Sequence, residues 1–139
     1  MAKKFEGAKK VKEIDEALNK ALADFLFTTQ GKLSKAAPVD TGRLASSFVL
    51  GKDLPNREVE PKRTSKGPVT VTRQYTRKEI TMDSNWFISN NLPYAHTVAY
   101  NPIYGKNGRV GGAAWYTTIL NNLRRDADRI FTRELKKVK

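Results

Sequence analysis

The sequence contains no cysteine and a single histidine, His96, among its 139 residues. The lack of cysteine excludes disulfide bonds, thiolate catalysis and cysteine-ligated zinc sites. No second histidine or adjacent acidic pair completes a metal site of familiar spacing around His96, so we interpret this residue as structural. We therefore predict that the fold is held together by packing and that no cofactor is bound.

Long apolar runs are also missing. The longest, around residues 23–27, is far below the ~20 residues that a membrane span requires. Residues 1–12 are charged and are not followed by an apolar block, so we expect no signal peptide and no membrane partner. A chain of 139 residues fits one domain. We expect the protein to be made and kept in a cytoplasm, with residues 1–10 flexible.

Catalytic motifs are lacking as well. Ser46 and Ser47 are not part of a nucleophile elbow, and no acidic residue near His96 in the sequence would orient it as their base. The glycine-rich segment 105–112 fits neither the Walker spacing nor the dinucleotide-binding spacing. No two carboxylates stand out as a general acid and base. We predict that the protein is not an enzyme.

Positive charge is what the sequence has in excess. Its 26 Lys and Arg against 14 Asp and Glu give a net charge of +12. The excess is concentrated in residues 1–12 (+4), 52–78 (+5) and 115–139 (+4). Clusters of this kind are typical of surfaces that face a polyanion, since phosphates gain affinity for Lys and Arg through counterion release. Basic tails and loops also keep chains soluble, and charge alone leaves both interpretations open.

Apolar residues at spacings of three and four predict a long N-terminal helix from about Val11 to about Lys35. The apolar stripe is wider than one helix face, which indicates more than one partner surface. Gly31 is a weak point at which this helix could end or kink. Pro38 then disfavours helical geometry at Ala37, so a break is expected there.

The middle of the chain is predicted to be rich in β-structure. A short helical turn over residues 41–47 leads into a strand near residues 48–50. Alternation over residues 69–82 predicts a hairpin that turns near residues 76–78, and residues 86–88 form a further strand. The pattern of residues 95–100 does not predict a single type of secondary structure.

Helical spacing returns from Ala114 to the C-terminus. Long loops are expected at residues 51–68 and 101–112. The predicted fold class is therefore α+β, with a central antiparallel sheet of about four strands flanked by long N-terminal and C-terminal helices.

Two groups of basic residues are candidates for contact with DNA or with another subunit. In the middle segment they alternate with aromatic residues, a pattern that suits a nucleic-acid backbone but is also ordinary on a sheet surface. In the C-terminal helix, arginines about four apart share a stripe that could face phosphates, an acidic subunit or solvent. The candidates are Lys62, Arg63, Lys66, Arg73, Arg77, Lys78, Arg124, Arg125, Arg129 and Arg133.

Two short motifs and their order are more informative than any single residue. The motifs are A-P-V-D-T-G-R-L-A-S-S-F at Ala37–Phe48 and N-N-L-P-Y-A-H-T-V at Asn90–Val98. Between two long helices, they resemble the neck or tail-completion proteins of long-tailed bacteriophages, in which a P-x-D-T-G-x-L turn precedes a Y-A segment and a closing helix. The matching residues are Pro38, Asp40, Thr41, Gly42, Leu44, Tyr94 and Ala95. That family often has a Glu and then a Gly after Tyr-Ala, where this chain has Ala99 and Asn101, so the Glu contact is not carried over.

The resemblance implies a structural virion protein at the head–tail junction, variously described as a neck, minor tail or head–tail joining protein. It implies a self-assembled ring, with six copies expected, between the connector or stopper and the tail terminator or tail tube. Genomic DNA would pass through the lumen without its sequence being read. A tail terminator of the same junction and a sequence-nonspecific basic nucleic-acid-binding module remain as alternatives.

The turn Asp40–Leu44 is expected to act as a helix cap rather than to bind a ligand. Asp40→Ala should therefore lower the free energy of unfolding by about 0.5–2 kcal/mol, because an aspartate oxygen accepts hydrogen bonds from unpaired N–H groups at a helix start. Denaturant unfolding measures this loss. A variant with unchanged stability that fails to assemble would show that Asp40 acts in assembly instead.

Overall fold

The computed structural model describes residues 2–37, 44, 47–57, 75–93, 95–100 and 114–138, apart from the side chains of residues 2–6 and 97. Its elements are α1 (Ala2–Ala36), β1 (Phe48–Lys52), a 3-10 helix (Arg77–Glu79), β2 (Trp86–Asn90), α2 (Ala95–Tyr100) and α3 (Trp115–Leu135). The fold class is α+β, as predicted. None of the helices in the described part of the chain has the length and hydrophobicity of a membrane span.

Helix α1 begins at Ala2, well before the predicted start near Val11, and it continues through Gly31 to Ala36. Its first ten residues are rich in Ala and Lys, which favour helix, but they carry no apolar stripe that periodicity could detect. Gly31 does not end the helix, because its neighbours are held by tertiary contacts. Gln30 Nε2 donates a hydrogen bond to the carbonyl oxygen of Phe48 (2.7 Å), and Leu33 is buried in the core.

Helices α1 and α3 pack along each other in antiparallel directions. Leu33, near the end of α1, shares an apolar cluster with Trp115 at the start of α3. Lys20, nearer the start of α1, forms an ion pair with Glu134 in the last turn of α3 (3.4 Å). The amphipathic faces predicted for the two helices thus cover each other.

The sheet in the described residues has two antiparallel strands, with Phe48 opposite Asn90 and Lys52 opposite Trp86. Because side chains alternate along a strand, Phe48 and Leu50 lie on the same face. Phe48 packs with residues near the end of α1, and Leu50 packs with residues near its middle. The first cluster contains Leu33, Ala37, Leu44, Phe48, Leu92, Val98, Trp115 and Ile119, and the second contains Ala23, Leu26, Phe27, Leu50 and Ile80.

The prediction of about four strands is not confirmed. The strands predicted near residues 48–50 and 86–88 are present as β1 and β2. The predicted hairpin over residues 69–82 lies partly outside the described residues, and its second arm is wrong: residues 77–79 form the 3-10 helix, and no strand follows before β2. The segment 95–100, which the sequence left unassigned, is helix α2. Residues 58–68 and 101–112 of the predicted loops lie outside the described residues, while Gly51 and Lys52 belong to β1.

Side-chain hydrogen bonds explain why the second hairpin arm does not form. The Glu79 carboxylate accepts hydrogen bonds from the backbone N–H (3.1 Å) and the hydroxyl (2.9 Å) of Thr76, which stabilises a helical turn. The backbone N–H of Met82 donates to Asn19 Oδ1 of α1 (2.9 Å). These backbone donors therefore have partners without a strand ladder. Ile80 is buried between the exposed Glu79 and the half-buried Thr81, so its burial does not require a strand.

Gly51 lies where the chain folds back closely on itself after β1. A Cβ atom added at this position would be 2.4 Å from the carbonyl oxygen of Leu54 and 2.5 Å from the backbone nitrogen of Asn56. Both contacts are with backbone, which cannot rotate away as a side chain would. Any side chain at residue 51 would therefore displace the backbone of residues 54–56.

Gly51→Ala should lower the free energy of unfolding by about 1–3 kcal/mol, the usual cost of overpacking. Gly31→Ala is the matched control, because nothing lies within 4 Å of its added Cβ and alanine favours helix, so stability should rise by about 0.5–1 kcal/mol. Chemical denaturation of both variants measures the difference. Equal effects of the two substitutions would contradict the close approach at Gly51.

Candidate assembly site

The two motifs meet in one apolar cluster. Leu44, from the first motif, is buried there, and Ala95, from the second, packs against it. Asn90 connects the segments, because its Nδ2 donates to the carbonyl oxygen of Leu44 (2.9 Å) and its Oδ1 accepts from the backbone N–H of Leu92 (3.3 Å). The other motif residues, Pro38, Asp40, Thr41, Gly42 and Tyr94, lie outside the described residues.

An open cavity of about 240 Å³ lies beside this meeting point. Tyr100 stands at its edge, half exposed. Its wall combines apolar side chains with aromatic rings from β1, α2 and α3. The lining residues are Leu33, Leu44, Phe48, Ile88, Asn90, Ala95, His96, Ala99, Tyr100, Trp115 and Tyr116.

The aromatic rings of the cavity wall contact one another in a chain. Ring centroids are 4.7 Å apart for His96 and Tyr100, 5.3 Å for Tyr100 and Tyr116, and 6.4 Å for Phe48 and Trp115. Burial, followed by the proximity of Tyr100, raises the pKa of Tyr116, so its hydroxyl stays neutral. Trp115 Nε1 donates to the carbonyl oxygen of Val98 (3.3 Å), which ties α3 to α2. The wall is therefore fixed by packing and is mainly apolar.

The sequence motifs do not predict this cavity. His96, which is predicted to be structural, lies exposed on the cavity wall in contact with the Tyr100 ring. The adjacent aromatic residues Trp115 and Tyr116 are a signal in the sequence, because aromatic side chains bury large areas and dominate cores. Among the described residues, no group of three or more His, Cys, Asp or Glu side chains is placed to hold a metal ion.

Three of the predicted basic contact residues form ion pairs within the chain. Arg77 and Arg133 both bind the carboxylate of Asp24 in α1, Arg133 through its Nη2 at 3.3 Å. The Arg77 guanidinium also lies over the Phe27 ring, 5.5 Å from its centroid. Arg129 pairs with Asp126 at 3.7 Å. Arg77 and Arg133 therefore link the 3-10 helix and α3 to α1, whereas the Arg129 pair lies within α3.

The remaining described candidates are Lys78, Arg124 and Arg125. Their side chains are exposed, and no ion pair joins them to another described residue. They are therefore the described candidates whose charge is available to an external partner. Lys62, Arg63, Lys66 and Arg73 lie outside the described residues.

Two buried carboxylates of α3 face α1. Asp126 is 4% exposed and pairs with Lys32 at 2.5 Å. Glu134 is 3% exposed and pairs with Lys20 and with Lys137 (3.2 Å). Burial by itself raises the pKa of Glu134, but the hydrogen bond and charge of Lys137 and the charge of Lys20 outweigh it, so the pKa lies below its usual value. These carboxylates stabilise the helix pair.

A protein-family model matches most of the chain. The model described as "Bacteriophage HK97-gp10, putative tail-component" matches residues 1–100. The matched range contains α1, both motifs, the sheet and α2, and it excludes α3. No curated protein and no solved structure matches the chain.

The lowered pKa of Glu134 makes its contribution to stability depend on pH. The folded-state pKa lies below the unfolded value of about 4.3, so the stabilisation is complete above that pH and is lost as the pH falls through the folded-state pKa. Glu134→Gln should therefore cost about 1–3 kcal/mol at pH 7, and the difference from the parent protein should shrink below about pH 4.

Denaturant unfolding over a pH series measures this dependence. Asp128→Asn is the matched control for the loss of one carboxylate from α3, because Asp128 is exposed and has no ion pair among the described residues. If Glu134→Gln lowers the free energy of unfolding equally at pH 3 and pH 7, the pKa of Glu134 is not lowered in the folded state.

Proposed function

The chain belongs to the HK97-gp10-like family of bacteriophage tail components, and from that premise we propose that it forms a ring at the head–tail junction. The ring joins the connector or stopper to the tail terminator or tail tube, and DNA passes through its lumen. Six copies are expected. A phage tail component is part of the virion. What we propose is its position in the virion, at the head–tail junction, and its assembly as a ring.

The observation that carries the proposal is the open aromatic cavity beside the two motifs. A ring of identical subunits needs a heterologous contact, in which one surface of each subunit meets a different surface of the next. An apolar cavity with fixed walls suits the receiving half of such a contact, because apolar burial and shape complementarity stabilise interface centres. The exposed apolar side chains elsewhere, such as Leu54 and Met82, are candidates for the inserted half.

The exposed basic residues support passage of DNA through the ring. Lys78, Arg124 and Arg125 are not neutralised by described residues of their own chain. Positive charge on a lumen wall attracts phosphates without reading base sequence. In this proposal, DNA contact is a consequence of where the ring stands, and the affinity for free DNA is low.

Closing the cavity tests the ring contact. His96→Trp adds a bulky ring at an exposed position on the cavity wall, so it should leave the melting temperature nearly unchanged and reduce assembly with connector and tail-tube proteins at least tenfold. Thr132→Trp is the matched control, because it adds the same side chain at an exposed position of α3 far along the helix from the cavity. Light scattering and electron microscopy of the mixtures measure ring formation.

Equal assembly by the two Trp variants would show that the cavity takes no part in the ring. A parent protein that stays monomeric with these partners and binds one DNA sequence tightly at physiological salt would overturn the ring proposal. That result would favour the alternative of a nucleic-acid-binding module.

Charge reversal tests the contact with DNA. Arg124→Glu with Arg125→Glu should weaken the binding of duplex DNA and make the salt dependence shallower by about 0.9 per lost phosphate contact. Arg133→Ala is the control, because Arg133 is held by Asp24 and Glu134 and its loss should lower stability rather than the salt slope. A salt slope that is unchanged in the double variant would exclude these two arginines from the DNA contact.

A further inference from the structure

Leu54 is the most exposed of the large apolar side chains in the described part of the chain, at 75%. Other exposed apolar residues, such as Val11, Leu120 and Leu135, lie on α1 and α3, where the helix backbone limits how deeply a side chain can enter a concave surface. Leu54 instead lies on a turn that follows the end of β1, and its neighbour Pro55 is exposed as well. The turn therefore presents a convex apolar surface.

The turn is held in place on both sides of Leu54. The backbone N–H of Asp53 donates to the carbonyl oxygen of Asn85 (2.6 Å), and the backbone N–H of Asn85 donates to Asp53 Oδ1 (3.1 Å). After Leu54, Asn56 Nδ2 donates to the carbonyl oxygen of Leu50 (3.1 Å). Because the turn is fixed before a partner binds, its backbone has little conformational entropy left to lose on binding.

Leu54 and the aromatic cavity lie on opposite faces of the sheet. Phe48 and Leu50 share the face that packs on α1, and the cavity is on that side because Phe48 lines it. Gly51 faces the other way, since successive residues of a strand alternate. A Cβ atom added to Gly51 would be 2.4 Å from the carbonyl oxygen of Leu54, so the turn lies over the outer face. The sheet therefore separates Leu54 from the cavity of its own chain.

The size and the lining of the cavity suit a single aliphatic side chain. An apolar protein cavity of about 150 Å³ can hold benzene, whereas pockets for drug-sized ligands begin at about 300 Å³. At about 240 Å³, this cavity has room for a leucine side chain and is small for an organic ligand. None of the described residues that line it carries a carboxylate, an ammonium or a guanidinium group. An inserted charge would therefore have no ion-pair partner there.

We propose that Leu54 of each copy enters the aromatic cavity of the next copy. This inference rests on the ring proposed above and identifies the two halves of its contact: the turn 53–56 is inserted, and the cavity receives it. Because the two halves lie on opposite faces of the sheet, each copy can give its turn to one neighbour and receive the turn of another. Such a contact is heterologous, as a ring requires.

The charges beside the two halves favour this occupant. Lys52 and Arg57, on either side of the turn, are exposed and form no ion pair with another described residue. At the cavity, the exposed rings of Tyr100 and His96 offer faces that attract cations. No Lys or Arg among the described lining residues would repel the two basic side chains. A carboxylate or phosphate ligand, by contrast, would meet no basic group on the described wall.

Removing either half of the contact tests the inference. Leu54→Asp places a charge where an apolar side chain should enter, and His96→Trp fills the cavity. Each variant should keep a nearly unchanged melting temperature and assemble with connector and tail-tube proteins at least tenfold more weakly than the parent protein. Val11→Asp is the matched control, because it adds the same charge at a 59% exposed apolar position of α1 and should assemble as the parent does. Light scattering measures assembly.

Cysteine pairing identifies the partner of Leu54 directly, and the chain is suitable because it has no cysteine of its own. Leu54→Cys and His96→Cys copies, assembled together with the same proteins under mild oxidation, should form a mixed disulfide, which requires the two residues to be in contact. Leu54→Cys mixed with Thr132→Cys should form none, because Thr132 is exposed on α3 far from the cavity. A chain that carries both Leu54→Cys and His96→Cys should give a ladder of linked copies that ends at the size of the ring.

The inference and the ring proposal fail in different ways. If Leu54→Asp assembles as the parent does while His96→Trp does not, the cavity receives another segment, and only the inference is wrong. Assembly of the cysteine variants without the mixed disulfide leads to the same conclusion. If both Leu54→Asp and His96→Trp assemble as the parent does, neither half takes part in the contact. If the parent protein itself does not assemble, the ring proposal is wrong and the inference falls with it.

Discussion

The antiparallel packing of α1 against α3 is the constraint on which the rest of the described fold depends. Asp126 in the middle of α3 and Glu134 in its last turn are buried, and each binds a lysine of α1. Burying a carboxylate costs free energy unless it is paired, so both ion pairs favour this arrangement of the helices. The two pairs therefore fix both the direction and the axial position of the helices. Because β1 packs against α1, the position of α1 also sets the positions of the sheet and of the cavity beside it.

The candidate basic residues of the described part of the chain fall into two groups, those that form ion pairs and those that do not. Arg77 and Arg133 bind Asp24 of α1 from other elements, and Arg129 pairs with Asp126 within α3. Lys78, Arg124 and Arg125 form no ion pair with the residues that the structure describes. Charge that is paired internally changes stability, whereas charge exposed on the surface changes association and its dependence on salt.

The parts of the fold that could be predicted are those with strong local signals. Helical periodicity located α3 and most of α1, and short apolar runs located β1 and β2. The hairpin arm near Ile80 failed because alternation over four residues is a weak signal, and it competed with the Thr76–Glu79 hydrogen bonds. The cavity was not predicted, although five of its lining residues lie in the two motifs, because its aromatic wall is assembled from β1, α2 and α3, which are far apart in the chain.

The sequence by itself determined the α+β class, the two long helices, the basic excess and the resemblance to phage tail-completion proteins, because these depend on periodicity, composition and local motifs. Only the tertiary structure decided which basic residues form ion pairs between elements. Asp24 is 53 residues from Arg77 and 109 residues from Arg133, so no local pattern could indicate that one carboxylate binds both. Ion pairing depends on distance in space, and that distance is set by how α1 and α3 pack.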